Sequence, residues 1–279
     1  MKISCLPVSF YGEVDRGKMS IGDWFRMAKF TEYLDGADLG IGMIRKRTPA
    51  YLEALKAELH KIGIPLIMLA MYPDYTHPDP VQRKREVDFA ISDIALASEL
   101  GAKYVRLTAG SVHAGMSRED GIRWATEGLL ATQEAAAHYG VKLLFENHPG
   151  CGAWGRDDIG RDMDVFLNIY QNIKGSGIGL NFDIYHLTAS GSDYREILPQ
   201  LREDICTIHV NDAKISGGTE NRTASAVAIG TGDSPIPEIF SYLKESGFDG
   251  WLCIEEYTNR GVKGVTEAAA YVRKTWDRA

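Results

Sequence analysis

The stretch AHYGVKLLFE, residues 137–146, is the most informative about the fold, because it joins the end of a helix to a short apolar strand through one glycine. A glycine directly after a helix supplies the left-handed residue that ends it. A short run rich in Val, Leu and Phe is typical of a strand buried on both faces. The same join recurs in YLDGADL (33–39), LHKIGIPLIML (59–69), SELGAKYVRL (98–107) and ESGFDGWLCIE (245–255). A repeated helix–glycine–strand unit predicts a parallel sheet whose strands alternate with helices.

These joins and the remaining apolar runs predict eight strands, with helices between them and after the last. The strands are expected near residues 2–7, 36–40, 64–70, 103–109, 141–147, 178–183, 206–211 and 251–256. Eight alternating units favour an α/β fold of the closed (β/α)₈ TIM-barrel type, for which about 250 residues are typical, over an open doubly wound sheet. We expect residues 1–279 to form this single domain, because no linker or shift in composition divides the chain.

Composition disfavours several classes of protein. The 279 residues carry a net charge of −7, whereas proteins that bind nucleic acid usually present a basic patch. The four cysteines are scattered without CxxC spacing, which is typical of reduced intracellular thiols. No run reaches the roughly 18 apolar residues of a membrane helix, and the start MKISCLPVSF lacks the apolar core of a signal peptide. We therefore expect a cytoplasmic protein with neither a membrane nor a nucleic-acid partner.

Four potential metal ligands end four successive apolar runs: LLFENH, IGLNFDIYH, CTIHVND and WLCIEEY. The residues are Glu146, Asp183, His209 and Glu255. Catalytic groups of a TIM barrel lie at the carboxyl ends of its strands, so strands five to eight would bring these side chains together. One acid in such a place is often a salt-bridged rim residue, but acids after buried strands are costly unless they are paired or metal-bound. Three carboxylates and one imidazole suit one divalent ion, with Mn²⁺ first and Mg²⁺, Co²⁺ or Zn²⁺ as alternatives.

The motifs resemble those of the xylose isomerase-like superfamily, which includes ketose 3-epimerases, hydroxypyruvate isomerases and inosose-processing enzymes. The resemblance covers nearly the whole chain and is carried by LLFENHPG, FDIYH, IHVND, GTGDSP (230–235) and IEEY, in this order. It implies one divalent metal on the four residues above, with the two glutamates acting as acid and base on opposite faces of a sugar. It also implies sugar contacts from His186 and Arg222, and an assembly of two or four subunits. The interval 215–228, in which Arg222 falls, is longer than a minimal loop.

Further side chains are candidates for contact with the small-molecule substrate. Arg106 lies in the apolar run KYVRLT and needs a partner, such as Glu146, another rim acid or an anionic substrate group. Tyr72 follows the third strand, where the loop opens on the active face, and His148 follows Glu146. Lys214 follows HVND, although a solvated loop lysine is the simpler interpretation. The aromatic residues considered for an apolar wall of the pocket are Phe10, Tyr11, Trp24, Tyr72 and Trp154.

These residues predict an enzyme that removes a proton from a carbon next to a carbonyl. A bound metal stabilises the enediolate, and a carboxylate removes the proton. Return of the proton gives epimerisation or isomerisation, whereas loss of a β-substituent gives a lyase, so the metal site does not separate these outcomes. A dehydratase, decarboxylase or deglycosylating enzyme therefore stays an alternative. An abasic-site endonuclease is disfavoured, because those relatives hold three zinc ions with extra histidines, and strands three and four end here without histidine. A barrel that binds sugar without chemistry is disfavoured by the complete ligand set.

Overall fold

Parallel strands alternate with helices in the computed structural model, which describes residues 1–149, 155–218 and 221–279. The strands of this part are β1 (Lys2–Leu6), β2 (Ala37–Gly40), β3 (Leu66–Ala70), β4 (Tyr104–Leu107), β5 (Lys142–Glu146), β6 (Gly179–Asp183), β7 (Ile205–Val210), β8 (Asp212–Ser216), β9 (Thr223–Val227) and β10 (Trp251–Glu255). The eight predicted strands differ from β1–β7 and β10 by at most two residues at either end.

The helices cover the outside of the sheet. They are α1 (Tyr11–Asp15), α2 (Ile21–Phe30), α3 (Pro49–Ile62), α4 (Pro80–Glu99), α5 (Arg118–Tyr139), α6 (Met163–Ile173), α7 (Ile184–Ser190), α8 (Tyr194–Leu201), α9 (Ile236–Glu245) and α10 (Gly261–Arg278). The glycine joins act as expected, since Gly63 and Gly140 end α3 and α5 with φ of 72° and 70°. No helix in the described ranges is both long and apolar enough to cross a membrane.

The sheet forms a nearly closed barrel in the order β1-β10-β7-β6-β5-β4-β3-β2, with parallel pairing throughout. Between β1 and β2, Asp35 N and Gly36 N donate to Ile3 O at 2.7 and 3.2 Å. Ser4 Oγ also donates to the buried Asp38 Oδ2 at 2.6 Å. The predicted (β/α)₈ TIM barrel is confirmed.

The interior of the barrel divides into an apolar part and a polar part. One apolar cluster, separate from the main core between sheet and helices, consists of Ile67, Met68, Tyr104, Leu144, Trp251 and Cys253. Side chains two residues apart on a strand share a face. Glu146 and Glu255 follow Leu144 and Cys253 by two residues, so they point inward beyond this cluster, at the carboxyl end of the barrel.

Residues 212–227, which overlap the interval 215–228 expected to be a long loop, form an antiparallel hairpin of β8 and β9. The hairpin is tied to the GTGDSP segment by the buried side chain of Asp212, which accepts hydrogen bonds from Gly230 N at 2.9 Å and Gly232 N at 2.7 Å. A Cβ atom at Gly232 would lie 2.3 Å from Asp212 Oδ1, so this position requires glycine. GTGDSP therefore binds a carboxylate of its own chain, in agreement with a rim loop rather than a phosphate loop.

The cysteines Cys5, Cys206 and Cys253 are free. Cys151, the fourth cysteine, and Trp154, which was considered for the pocket wall, lie outside the described residues.

Candidate metal centre and substrate pocket

The four predicted ligands converge at the carboxyl ends of β5, β6, β7 and β10. Their exposed fractions are 0% for Glu146, Asp183 and His209 and 3% for Glu255. His209 Nδ1 lies 2.6 Å from Glu146 Oε1, 3.7 Å from Asp183 Oδ2 and 3.5 Å from Glu255 Oε1. Ligand atoms of Glu146, Asp183 and His209 all lie within 4.8 Å of one another. Glu255 is not in this group of three, although its Oε1 atom lies 3.5 Å from His209 Nδ1.

The cluster is suited to bind a divalent cation, because several of its potential ligand atoms have no hydrogen-bond partner in the described part of the chain. Both ring nitrogens of His209 and the Oε2 atom of Glu146 are buried, and none has a hydrogen-bond partner among the described residues. The 2.6 Å contact of Nδ1 with Glu146 is therefore close but not aligned as a hydrogen bond. Buried polar atoms are nearly always partnered, and oxygen donors with one imidazole suit Mn²⁺, Mg²⁺, Co²⁺ or Zn²⁺.

The electrostatics of the cluster also favour a bound positive charge. Burial lowers the pKa of His209, but the charges of Glu255 and Glu146 outweigh it and raise the pKa to about 9. Burial and the charges of Glu146 and Glu255 raise the pKa of Asp183 well above its usual range. Three carboxylates so close together repel one another, and a divalent cation relieves this repulsion.

Amide and hydroxyl side chains orient the ligands. Asn211 Nδ2 donates to Asp183 Oδ2 at 2.7 Å and to Glu255 Oε2 at 3.1 Å. Tyr257 OH donates to the same Glu255 oxygen at 2.6 Å. Asn181 Nδ2 donates to Glu146 Oε1 at 2.5 Å, and Thr207 Oγ1 donates to Asn181 Oδ1 at 2.5 Å. The sequence analysis missed these residues, although each lies two positions from a ligand along the chain, a spacing that would have identified them.

Arg106 pairs with a metal ligand. Its Nε atom lies 3.2 Å from Glu146 Oε2, and both side chains are buried. Its Nη2 atom donates to Tyr72 OH at 2.7 Å, and the guanidinium lies 4.2 Å from the centre of the Tyr72 ring. Burial raises the pKa of Glu146, but the charges of Arg106 and His209 outweigh it, so the pKa falls below its usual range. Glu146, one of the partners that the sequence suggested for Arg106, is the acid that Arg106 contacts in the structure.

His186 and His148 lie beside the cluster. Asp183 caps α7 by accepting from His186 N at 2.8 Å, and His186 Nδ1 lies 2.7 Å from Asn147 O. Burial lowers the pKa of His186 to about 3. The ring is therefore neutral, with Nδ1 donating to the carbonyl and Nε2 left as an acceptor. The rings of His148 and His186 are 5.0 Å apart, and those of His148 and Tyr72 are 5.6 Å apart.

Two predicted substrate contacts are held by protein groups away from the cluster. Arg222 donates to Thr188 O at 2.7 Å and to Ala189 O at 3.3 Å, near the carboxyl end of α7. Lys214 Nζ lies 2.7 Å from Asp233 Oδ1 and is exposed.

A cavity of about 330 Å³ opens next to Tyr72 and His148. Its lining also includes Asp74, Glu86 and Asp158. Burial raises the pKa of Asp158 to about 7. The cavity can hold the part of a small substrate that lies away from the metal ligands.

A second metal cluster, as an endonuclease would need, is not found among the described residues, where Glu146, Asp183 and His209 are the one group of three neighbouring ligand residues. His113, which follows β4, instead contacts Asp74 Oδ2 at 2.9 Å.

Residues 29–275 match the family model described as xylose isomerase-like TIM barrel. Among curated proteins, the chain is similar to an inosose dehydratase of Bacillus licheniformis, with 27% identity over 163 residues that cover 54% of this chain and 52% of that protein. It is also similar to a probable endonuclease 4 of Acholeplasma laidlawii, with 27% identity over 177 residues that cover 58% of each. The chain thus spans about half the length of the curated relatives it matches.

Solved structures share the fold over nearly their full length. The IOLI protein, solved with a bound zinc atom, has a TM-score of 0.79 and 17% identity, with coverage of 100% of this chain and 99% of that chain. A D-psicose 3-epimerase from Clostridium cellulolyticum H10, solved with D-tagatose, has a TM-score of 0.77 and 13% identity, with coverage of 99% of both chains. At these identities the likeness shows the fold alone.

Proposed function

The chain belongs to the xylose isomerase-like TIM-barrel family, and on that premise we propose that it is a divalent-metal-dependent isomerase or epimerase of a small keto sugar or keto cyclitol. The reaction begins with removal of the proton on the carbon next to the carbonyl. The observation that carries this proposal is the convergence of Glu146, Asp183 and Glu255 on His209 Nδ1 in a buried site. Mn²⁺ stays the expected ion.

The two glutamates are suited to act on opposite sides of a substrate. Strands β6 and β7 separate β5 from β10, so Glu146 and Glu255 flank the other two ligands. When bound, a divalent cation supplies Lewis-acid stabilisation of the negative charge that develops on the substrate oxygens. One carboxylate removes the proton, and the other returns a proton from the opposite face. Asn211 and Tyr257 hold Glu255 in place, and Arg106 and Asn181 hold Glu146.

The surroundings of the site favour an uncharged substrate. Four positively charged side chains near this end of the barrel contact protein groups: Arg106 contacts Glu146, Arg156 contacts His113, Lys214 contacts Asp233 and Arg222 contacts backbone carbonyls. The cavity beside Tyr72 is lined by three acids and by one cation, Arg156. Because acids outnumber the single arginine in this lining, we infer an unphosphorylated polyhydroxylated substrate.

A lyase, and in particular a dehydratase, is the second candidate. The inosose dehydratase among the curated relatives favours it. Loss of a β-hydroxyl needs a proton donor for the leaving oxygen, and the Tyr257 phenol beside Glu255 is such a group. A cytoplasmic location, a homo-oligomeric state and the absence of a nucleic-acid partner stay predictions from the sequence.

The test is a metal analysis followed by NMR in D₂O of Mn²⁺-loaded protein with D-fructose, D-tagatose and 2-keto-myo-inositol. Deuterium on the carbon next to the carbonyl, with all atoms of the sugar retained, is the expected result for an isomerase or epimerase. Loss of water identifies the dehydratase instead. If none of the three compounds shows exchange or elimination, the proposal is overturned.

A further inference from the structure

The hydroxyl group of Tyr11 is a polar atom at the rim that the mechanism does not use. Tyr11 begins α1, after the short segment that follows β1. Its hydroxyl oxygen is buried and has no hydrogen-bond partner within the described ranges. A buried hydroxyl without a partner is costly to the folded state, so it calls for an explanation such as a ligand group that binds there.

The position of this oxygen is fixed by the end of β2. A Cβ atom built on Gly40, the last residue of β2, would lie 2.7 Å from Tyr11 OH. Gly40 shares a strand face with Asp38, whose carboxylate accepts from Ser4 Oγ inside the barrel. The phenol therefore reaches over the mouth of the barrel, and glycine at position 40 leaves the space that it occupies.

Tyr11 differs from the two other phenols at the mouth. Tyr72 OH accepts from Arg106, and Tyr257 OH donates to Glu255. Burial raises the pKa of Tyr11 well above its usual range, and the neighbouring Tyr72 and Glu255 raise it further. The Tyr11 hydroxyl is therefore protonated at neutral pH and is able both to donate and to accept a hydrogen bond.

We propose that Tyr11 is a specificity-determining residue that binds a hydroxyl group of the substrate on the β1–β2 side of the site. This side lies across the barrel from β5 and β6, which carry Glu146 and Asp183. The inference rests on the proposed function, because it assigns one wall of the same site. The ligand it selects is an uncharged polyhydroxylated ketone whose far side carries a hydroxyl group.

The test compares Tyr11→Phe with Tyr75→Phe in Mn²⁺-loaded protein. Tyr75 is a matched control, because its buried hydroxyl also lacks a hydrogen-bond partner in the described ranges, but its ring packs against Gly128 of α5 rather than at the end of β2. Binding of 2-keto-myo-inositol and D-tagatose is measured by calorimetry. We expect Tyr11→Phe to raise the dissociation constant of the bound compound about 5- to 10-fold, which means weaker binding. Tyr75→Phe and the affinity for Mn²⁺ should stay within about 2-fold of wild type.

Two more measurements separate this role from a structural one. Tyr11→Phe should unfold at the same temperature as wild type or higher, because the hydroxyl has no protein partner to lose. Gly40→Ala, which displaces the phenol, should weaken binding as Tyr11→Phe does. Unchanged binding in Tyr11→Phe, with the wild-type protein active, would overturn the role of Tyr11 and leave the proposed function standing. If the wild-type protein neither binds nor converts 2-keto-myo-inositol, D-tagatose or D-fructose, both proposals fail.

Discussion

The two halves of the barrel rim carry different chemistry. On β5, β6, β7 and β10, inward positions near the carboxyl end hold Glu146, Asp183, His209 and Glu255. In the other half, Gly40 of β2 pairs with Ala70 of β3, and Ala70 pairs with Arg106 of β4. One half therefore gathers the donor atoms, and the other carries small residues, with the Tyr11 hydroxyl over Gly40.

One contact joins the two halves. Arg106 of β4 meets Glu146 of β5 at 3.2 Å, with both side chains buried. Without Arg106, the half of the rim that carries the carboxylates would face a half without a positively charged side chain on strands β2, β3 and β4. Substitutions in either half can test this difference. We expect the largest losses of activity from substitutions of the residues that supply the donor atoms.

Replacement of either glutamate should abolish turnover while the fold survives. We expect Glu146→Gln and Glu255→Gln each to lower kcat by about 10³-fold or more, because a positioned acid–base group alone contributes about 10² to 10⁴. Rates are measured as deuterium exchange with the compound that wild type accepts, and folding is checked by circular dichroism. A near-normal rate in either variant would remove that residue from the chemistry.

Removal of the contact between the halves should destabilise the metal-free protein. Arg106→Met leaves Glu146 buried without its cation, and loss of one partner of a buried pair costs about 3 to 5 kcal/mol. Urea unfolding measures this loss, which added Mn²⁺ should partly restore. The control is Arg123→Met, whose pair with Asp120 is exposed to solvent and should contribute little to stability. Equal losses in the two variants would contradict the role of the buried pair.

Metal affinity should rise with pH below about pH 9. In the metal-free site the pKa of His209 is raised to about 9. The ring is therefore protonated at neutral pH and must lose its proton when an ion binds. From this one proton the apparent affinity for Mn²⁺ should strengthen about 10-fold per pH unit between pH 6 and 8. Calorimetry in two buffers of different ionisation enthalpy counts the protons released. An affinity that does not change with pH would show that His209 is neutral in the free site.

Replacement of Lys214 should have the smallest effect. Its ammonium group pairs with Asp233 on an exposed hairpin, outside both halves of the rim. Lys214→Met should change kcat/KM by no more than about 2-fold, because an exposed pair contributes little. A loss of 10-fold or more would mean that this lysine leaves Asp233 to contact the substrate.

The strand-end residues could be predicted because their positions follow from local rules. A helix, a glycine and an apolar run repeat along the chain, and a parallel barrel places all strand ends on one side. Glu146, Asp183, His209 and Glu255 could therefore be grouped from the sequence, although they are separated by up to 109 residues, from 146 to 255. The interval 215–228 was expected to be a loop, and most of it belongs to the hairpin of residues 212–227, whose strands carry few large apolar residues and pair only with each other.

The sequence by itself determined the alternation of helices and strands and the residues that end each strand, because these depend on side-chain periodicity and on glycine next to helices. Only the tertiary structure decided which group each rim side chain meets. Arg106 contacts Glu146, Arg222 binds the carbonyls of α7, and Tyr11 lies over Gly40. Such contacts join residues far apart in the chain, and they form only when the barrel closes and brings its loops together at one end.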